Sequence, residues 1–233
     1  RLRAQHTVIG IHSKMVPSAP DHLIRYNLLN DYDNQFICIL DAVKPDAIIH
    51  CAGIASPRDE NCYMDNMRIT NNVAQSCAQY KKEKNDLRFI NISSILVYGN
   101  IITEQIDEGS NLYPQSPYAI SKAHSEDLLS YHLEDVVHLR LASIASPEPS
   151  QGLLADLFAR VARKPDKLEV WGKSPGSVKP YVFLWDVANL VSELIESKKS
   201  PSGSYIQNVT PNDNISVLDI ARIVKQFSKY EGK

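Results

Sequence analysis

The sequence predicts an α/β fold: a doubly wound parallel sheet with a smaller C-terminal lobe. Three observations carry that reading. A short continuous apolar run, Ala47-Ile48-Ile49-His50, suits a strand buried on both faces of a parallel sheet, and Arg88 to Ile92 reads as another buried strand. These runs alternate with helical stretches, the rhythm of strand–helix–strand units. After Ser146 the texture changes, with Pro147, Pro149, Pro165, Pro175 and Pro180 punctuating the chain and Gly152, Gly172 and Gly176 among them.

Thr7 to Ile11 is the first apolar run and reads as a strand, followed by a second short segment from Leu23 to Leu28. A helical pattern from Gln35 to Val43 stops at Pro45, which cannot continue a helix. The strand at 47–50 ends in Cys51-Ala52-Gly53, and Met64 to Lys82 reads as a long helix. The strand from Arg88 ends at Ser93-Ser94; a helix then spans Pro117 to Leu133, and Val136 to Leu141 is again a strand. In the C-terminal part a helix is expected from Leu153 to Ala162, an extended run at Leu168 to Trp171, and a strand at Val182 to Trp185 leading into a helix from Asp186 to Ser197. Ile215 to Lys229 closes the chain as an amphipathic helix with Ser216 as its N-cap.

At 233 residues there is room for one large domain, or one domain with a small satellite. With 43% apolar and 22% charged residues the composition is that of an ordinary globular protein. The net charge of -2 gives no basis for nucleic-acid or membrane binding. There is no run of about 18 apolar residues to cross a bilayer, and no long apolar stretch follows Arg1-Leu2-Arg3 to make a signal peptide. Cys38, Cys51, Cys62 and Cys77 form no C-x-x-C pair and have no histidine cluster beside them. Neither a metal site nor a disulfide framework is expected; the cysteines read as small buried apolar residues in a reducing cytoplasm.

The strongest chemical signal is Tyr118-Ala119-Ile120-Ser121-Lys122. A Tyr and a Lys four apart share one helix face. An ammonium beside a phenol favours the phenolate and lowers a pKa that is otherwise about 10, which makes the Tyr usable as an acid/base. The bare Y-x-x-x-K pattern is common on helices. Its context is not: Asn91-Ile92-Ser93-Ser94 closes a buried strand upstream, and open parallel sheets bind ligands beyond the carboxyl ends of their strands. A hydroxyl there can hold the reacting oxygen of a substrate against the Tyr.

Ser93-Ser94-Ile95-Leu96-Val97-Tyr98-Gly99, followed by Ser116-Pro117-Tyr118-Ala119-Ile120-Ser121-Lys122, resembles the active-site signature of the NAD-dependent epimerase/dehydratase family, the extended short-chain dehydrogenase/reductases. Ile49 to Ile54 resembles that family's turn beneath the cofactor, and Asn66, Thr70 and Asn72 its N-V-x-G-T-x-N helix, with Ile69 in place of the glycine. Leu139-Arg140-Leu141, Tyr181 to Val187, Asn208-Val209 and Ile215-Ser216-Val217 resemble later family segments in the same order. The resemblance implies a Rossmann-like dinucleotide domain over 1–141 with 181–210 returning to it, and a substrate-binding lobe from 142–180 and 211–233. Tyr118 would be the acid/base, Lys122 would lower its pKa and bind the nicotinamide ribose, and Ser94 would hold the same sugar oxygen. Asn27 and Leu28 would lie near the adenine, Ala52, Gly53 and Asn66 would line the cofactor, and Ala142 would pack on the nicotinamide. Lys179 stands where relatives often have an arginine on the substrate's diphosphate; a Lys supplies the charge without the bidentate fork. Ser143 stands where an asparagine is common and is a further substrate-side candidate. The implied partners are a nucleotide-diphosphate sugar and a second copy of the chain, docked through a four-helix bundle.

The sequence departs from the family in two places that bear on the cofactor. The opening G-x-x-G-x-x-G, which lets backbone approach a pyrophosphate at a helix N-terminus, is absent; the expectation is a partial chain whose first residue falls just before the second strand. At the end of that strand His12-Ser13-Lys14 replaces the acid that accepts from a ribose 2′-hydroxyl. The expected cofactor is therefore NADP or NAD, with His12 and Lys14 tilting toward the 2′-phosphate. Ile95 and Leu96 stand where the 4,6-dehydratases carry Asp-Glu, and neither has a proton to exchange. Epimerisation or ketone reduction at sugar C4 remains. A reductase of a non-sugar carbonyl and a non-catalytic scaffold or sensor are the alternatives.

Overall fold

The computed structural model describes residues 6–13, 22–31, 34–55, 59–83, 86–99, 105–146, 152–163, 169, 173–197 and 203–228. The chain forms two compact units, one of residues 1–140 with 188–208, the other of 141–187 with 209–233.

In the first unit, β1 (Gly10–His12) pairs in parallel with β2 (Leu23–Arg25), Ile11 opposite Ile24. The strand expected over Thr7–Ile11 is thus shorter and shifted, because its partner offers only three residues. The segment expected to extend to Leu28 turns early. Asn27 Oδ1 accepts from Leu29 N at 3.2 Å and starts a 3-10 turn, Leu28–Asn30. Buried Asp31 then organises the start of α1 (Phe36–Val43): its Oδ1 accepts from Gln35 N at 2.6 Å and from the Tyr26 hydroxyl at 2.5 Å. Lys44 closes α1 in the left-handed region, donating its N–H to Leu40 O at 2.7 Å, and Pro45 follows.

A four-stranded sheet forms the frame, in the order β3 (Ala47–His50), β4 (Arg88–Ser94), β5 (Val136–Leu141) and β8 (Tyr205–Val209). β3 and β4 are parallel, with His50 opposite Asn91. Every residue of β5 is buried. Between these strands run α2 (Cys62–Glu83) and α3 (Pro117–Leu133). Asp65 in the first turn and Lys81 and Lys82 in the last match the helix dipole of α2. Val73, Ala74, Cys77, Leu87, Phe89, Leu129 and Val136 form a continuous buried cluster with Phe36 and Leu40. Each large apolar side chain so buried contributes about 1.5–3 kcal/mol.

In the second unit, β6 (Ser143–Ala145), β7 (Val178–Phe183) and β9 (Asn214–Ser216) make a small sheet. β6 runs parallel to β7, and β9 antiparallel to it. α4 (Gly152–Ala162) packs on α6 (Val217–Ser228) through Leu157, Val161, Ile220 and Val224. Ser216 caps α6 as expected, accepting from Asp219 N at 3.0 Å. The strand expected at Val182–Trp185 instead runs over 178–183, and α5 (Leu184–Glu196) begins within its expected span. The expected run Leu168–Trp171 lies outside the described residues apart from Glu169.

The four cysteines are free, but only Cys62 and Cys77 are buried. Cys38 and Cys51 are exposed, which corrects the expectation that all four fill the core. Cys38 lies on the outer face of short α1, and Cys51 sits just past the end of β3. No described helix is long and apolar enough to cross a membrane.

Candidate active site

Ser116 is the N-cap of α3, accepting from Ala119 N at 3.2 Å, and Pro117 occupies the first turn, where its missing N–H costs nothing. This local chemistry fixes where the helix starts. It also sets Tyr118 in the first turn, half-buried, and Lys122 one turn later, buried. Lys122 Nζ donates to Ile92 O on β4 at 2.8 Å and lies 5.8 Å from the centre of the Tyr118 ring. Ser94, the last residue of β4, is buried and extended, and caps the 3-10 turn Ile95–Tyr98 by accepting from Leu96 N at 3.2 Å. Gly99 ends that turn at φ +78, where a Cβ would stand 2.2 Å from Tyr113 O; only glycine fits.

The loop after β3 is the third component. Asn66, buried on α2, clamps it: Oδ1 accepts from Ile54 N at 2.6 Å, while Nδ2 donates to Ile54 O and to Ser121 Oγ, both at 3.0 Å. Ser121 Oγ in turn donates to Tyr118 O at 2.8 Å. Asn66, expected to line the cofactor, thus holds the loop and α3 together through its amide. Gly53 lies close by, since a Cβ built there would be 3.9 Å from Lys122 Nζ. Asn72, from the same helix, donates to Leu28 O at 2.7 Å and so anchors the turn that carries Asn27 and Leu28.

The electrostatics differ from the sequence expectation. Burial raises the Tyr118 phenol above its ordinary value, and nearby Cys62 adds to the rise. Burial lowers the Lys122 ammonium, with Cys51, Glu126 and Cys62 opposing that fall. The Lys122 ammonium is held by Ile92 O, 5.8 Å from the centre of the Tyr118 ring. His50, buried at the end of β3, is pushed down to about 3 by burial and by Lys122, so it is neutral at pH 7.

The remaining candidates divide between the units. His12 is exposed at the end of β1, and Asn27 is exposed after β2. Ala52 belongs to the clamped loop. Lys14 lies outside the described residues. In the second unit, buried Ala142 donates its N–H to Val209 O at 3.0 Å, and Ser143 begins β6. Lys179, exposed on β7, lines a cavity of about 200 Å³ with Tyr181, Ser177, Leu153 and Ile215. Among the described residues no group of three or more His, Cys, Asp or Glu side chains is placed to hold a metal ion.

Sequence reasoning missed a buried polar network beside the site. Glu126 on α3 forms an ion pair with Arg140 on β5 and accepts from Ser93 Oγ. A lone arginine in the apolar strand Val136–Leu141 was the available signal, since a buried charge requires a partner.

The chain is 24% identical over 212 residues to a dTDP-D-glucose 4,6-dehydratase of Dictyostelium discoideum, covering 82% of this chain and 46% of that protein. It is 23% identical over 223 residues to an ADP-L-glycero-D-manno-heptose-6-epimerase of Brachyspira hyodysenteriae, covering 90% and 66%. It thus spans between about half and two thirds of these relatives. Its fold matches the Thermus thermophilus UDP-glucose 4-epimerase, solved with NAD, at a TM-score of 0.76 and 22% identity, over 92% of this chain and 72% of that one. Residues 1–209 match the NAD dependent epimerase/dehydratase family as a whole, and with Ser94, Tyr118 and Lys122 at one end of its sheet this chain belongs to that family.

Proposed function

We propose that the protein transfers hydride at C4 of a nucleotide-diphosphate sugar, as an epimerase or a 4-keto-sugar reductase, with NAD as its first-choice cofactor. The observation that carries this is the hanging of the Tyr118–Lys122 helix from β4, two residues before Ser94, by the bond from Lys122 Nζ to Ile92 O. Ser94 Oγ orients the sugar oxygen and the Tyr118 hydroxyl exchanges a proton with it. A bound nicotinamide supplies the hydride acceptor and donor. The residues suit such a group: the carboxyl ends of β1, β2 and β3 present exposed His12, Asn27 and Gly53. At the basic corner that would favour a 2′-phosphate, His12 lies opposite Arg25 of β2; the NAD in related structures nonetheless supports NAD over NADP.

Leu96, 47% exposed, and half-buried Ile95 follow Ser94 where a dehydratase needs carboxyl groups, which argues against elimination. Ketone reduction is the second reading: there the Tyr118 phenol gives its proton to the sugar oxygen as hydride arrives. Lys179 beside its cavity is the proposed contact for the substrate's diphosphate, with Ser143 a further contact and Ala142 against the nicotinamide. We further propose a cytoplasmic homodimer joined through α2 and α3, on which Met64 and Tyr131 are exposed; a monomer at all concentrations in light scattering would refute the dimer.

The test is titration of the full-length gene product with NADH and NADPH, followed by nicotinamide fluorescence, then incubation with UDP-glucose. Binding of NADH over NADPH with conversion of the sugar supports the epimerase. Preference for NADPH supports the reductase. Failure to bind either cofactor refutes the enzyme and leaves the scaffold.

A further inference from the structure

Glu126 and Arg140 are buried, and neither is among the groups assigned to the reaction above. Glu126 stands one turn beyond Lys122 on the face of α3 that also carries Tyr118. Its Oε1 accepts from Ser93 Oγ at 2.5 Å and from Arg140 Nε at 3.1 Å; its Oε2 accepts from Arg140 Nη2 at 2.6 Å. Arg140 Nη1 donates to the Tyr98 hydroxyl at 2.7 Å, and that hydroxyl donates to Asn208 Oδ1 at 2.8 Å. The guanidinium also lies 4.8 Å from the centre of the Tyr98 ring.

A buried ion pair is a poor source of stability, because taking two charges out of water costs about what their attraction returns. Apolar side chains of the same volume would fill the core as well. They could not, however, hold two hydroxyls in fixed places. The two hydroxyls held here bracket Ser94: Ser93 precedes it, and Tyr98 closes the turn that Ser94 caps.

We propose that Glu126 and Arg140 are positioning residues, one ion pair that ties both ends of the Ser94 turn to the helix carrying Tyr118 and Lys122, and so sets the Ser94 hydroxyl against the Tyr118 phenol. Its catalytic consequence rests on the function proposed above. Its geometric content does not, because Ser94 Oγ accepts from Leu96 N, and exchange of that amide with solvent reports how firmly the turn is held.

The experiment compares Ser93→Ala and Ser93→Thr with the wild type in the full-length protein with NAD. It reads hydrogen exchange at the Leu96 amide and the turnover of UDP-glucose. Ser93→Ala is expected to speed Leu96 exchange by about tenfold or more and to lower kcat by about tenfold with KM for the sugar unchanged, the pattern of a lost transition-state contact. Ser93→Thr keeps the hydroxyl and restores both. Tyr98→Phe, at the other end of the turn, is expected to reproduce the Ser93→Ala effect on exchange. Unchanged Leu96 exchange in Ser93→Ala, or equal impairment in Ser93→Ala and Ser93→Thr, overturns the proposal, the second because only packing would then matter. If the wild type does not convert UDP-glucose, the functional reading loses that sugar, and Leu96 exchange alone decides the positioning role.

Discussion

Replacing Asn66 with Ala removes a side chain that joins the loop after β3, α2 and α3. Three bonds to nitrogen and oxygen partners are lost, to Ile54 N at 2.6 Å and to Ile54 O and Ser121 Oγ at 3.0 Å, together with a weaker one from Nδ2 to Cys62 Sγ at 3.6 Å. Each of the three is worth about 0.5–1.5 kcal/mol net, for a sum of roughly 1.5–4.5 kcal/mol. Ile54 is half-buried, so water partly replaces its two bonds, and an expected loss of about 2–3 kcal/mol follows. For a chain of this size that lowers Tm by about 4–12 °C at roughly 2–4 °C per kcal/mol. The loop bearing Ala52 and Gly53 would loosen at the same time, so NAD affinity should fall by about tenfold or more. Thermal unfolding by circular dichroism and a fluorescence titration with NADH measure the two effects. Asn66→Asp keeps the acceptor for Ile54 N and loses the donor bonds, so it should fall between. A Tm shift below about 1 °C with NADH affinity unchanged would show that the clamp does not hold the loop, and the reasoning would fail.

Acid should destabilise the protein through its buried histidines. His138 is lowered to about 4 and His50 to about 3, burial being the main cause in each. From the ordinary histidine value of 6.5 down to these values the unfolded chain binds protons that the folded chain refuses. Stability is therefore retained above about pH 7 and lost at up to about 1.4 kcal/mol per pH unit for each histidine as pH falls below 6. Urea unfolding between pH 7 and 4.5 reads the slope; a flat profile would mean that both rings protonate in the folded state. Thiol titration of the native protein should find two accessible cysteines, Cys38 and Cys51, and four after denaturation. NAD should slow the labelling of Cys51 and leave Cys38 unchanged; equal protection of both would count against a cofactor beside the loop after β3.

The central elements were legible because their signals are local. The apolar runs at 47–50 and 136–141 became β3 and β5, and Ser116-Pro117 marked the start of α3 to the residue. The short strands β6, β8 and β9 were not legible, because their pairing is set by distant neighbours and not by any apolar run: Lys179 faces Ile215, and Ser143 faces Tyr181. In the site, the Tyr118–Lys122 spacing could be read directly, whereas the partner of Lys122 could not. Its ammonium finds a backbone carbonyl, Ile92 O, and carbonyls carry no mark in a sequence. The same holds for Asn66: its residue type does not reveal the clamp on Ile54 and Ser121. The exposure of Cys51 follows from β3 ending one residue before it, a boundary set by pairing with β4.

The central claim is that the Tyr118 hydroxyl moves the proton while a nicotinamide moves the hydride. The direct measurement is turnover of the sugar substrate by Tyr118→Phe, in protein shown by NADH titration to bind cofactor as the wild type does. The account predicts a fall in kcat of about 10²–10⁴ with cofactor affinity unchanged. A Tyr118→Phe protein that turns over at the wild-type rate would contradict it.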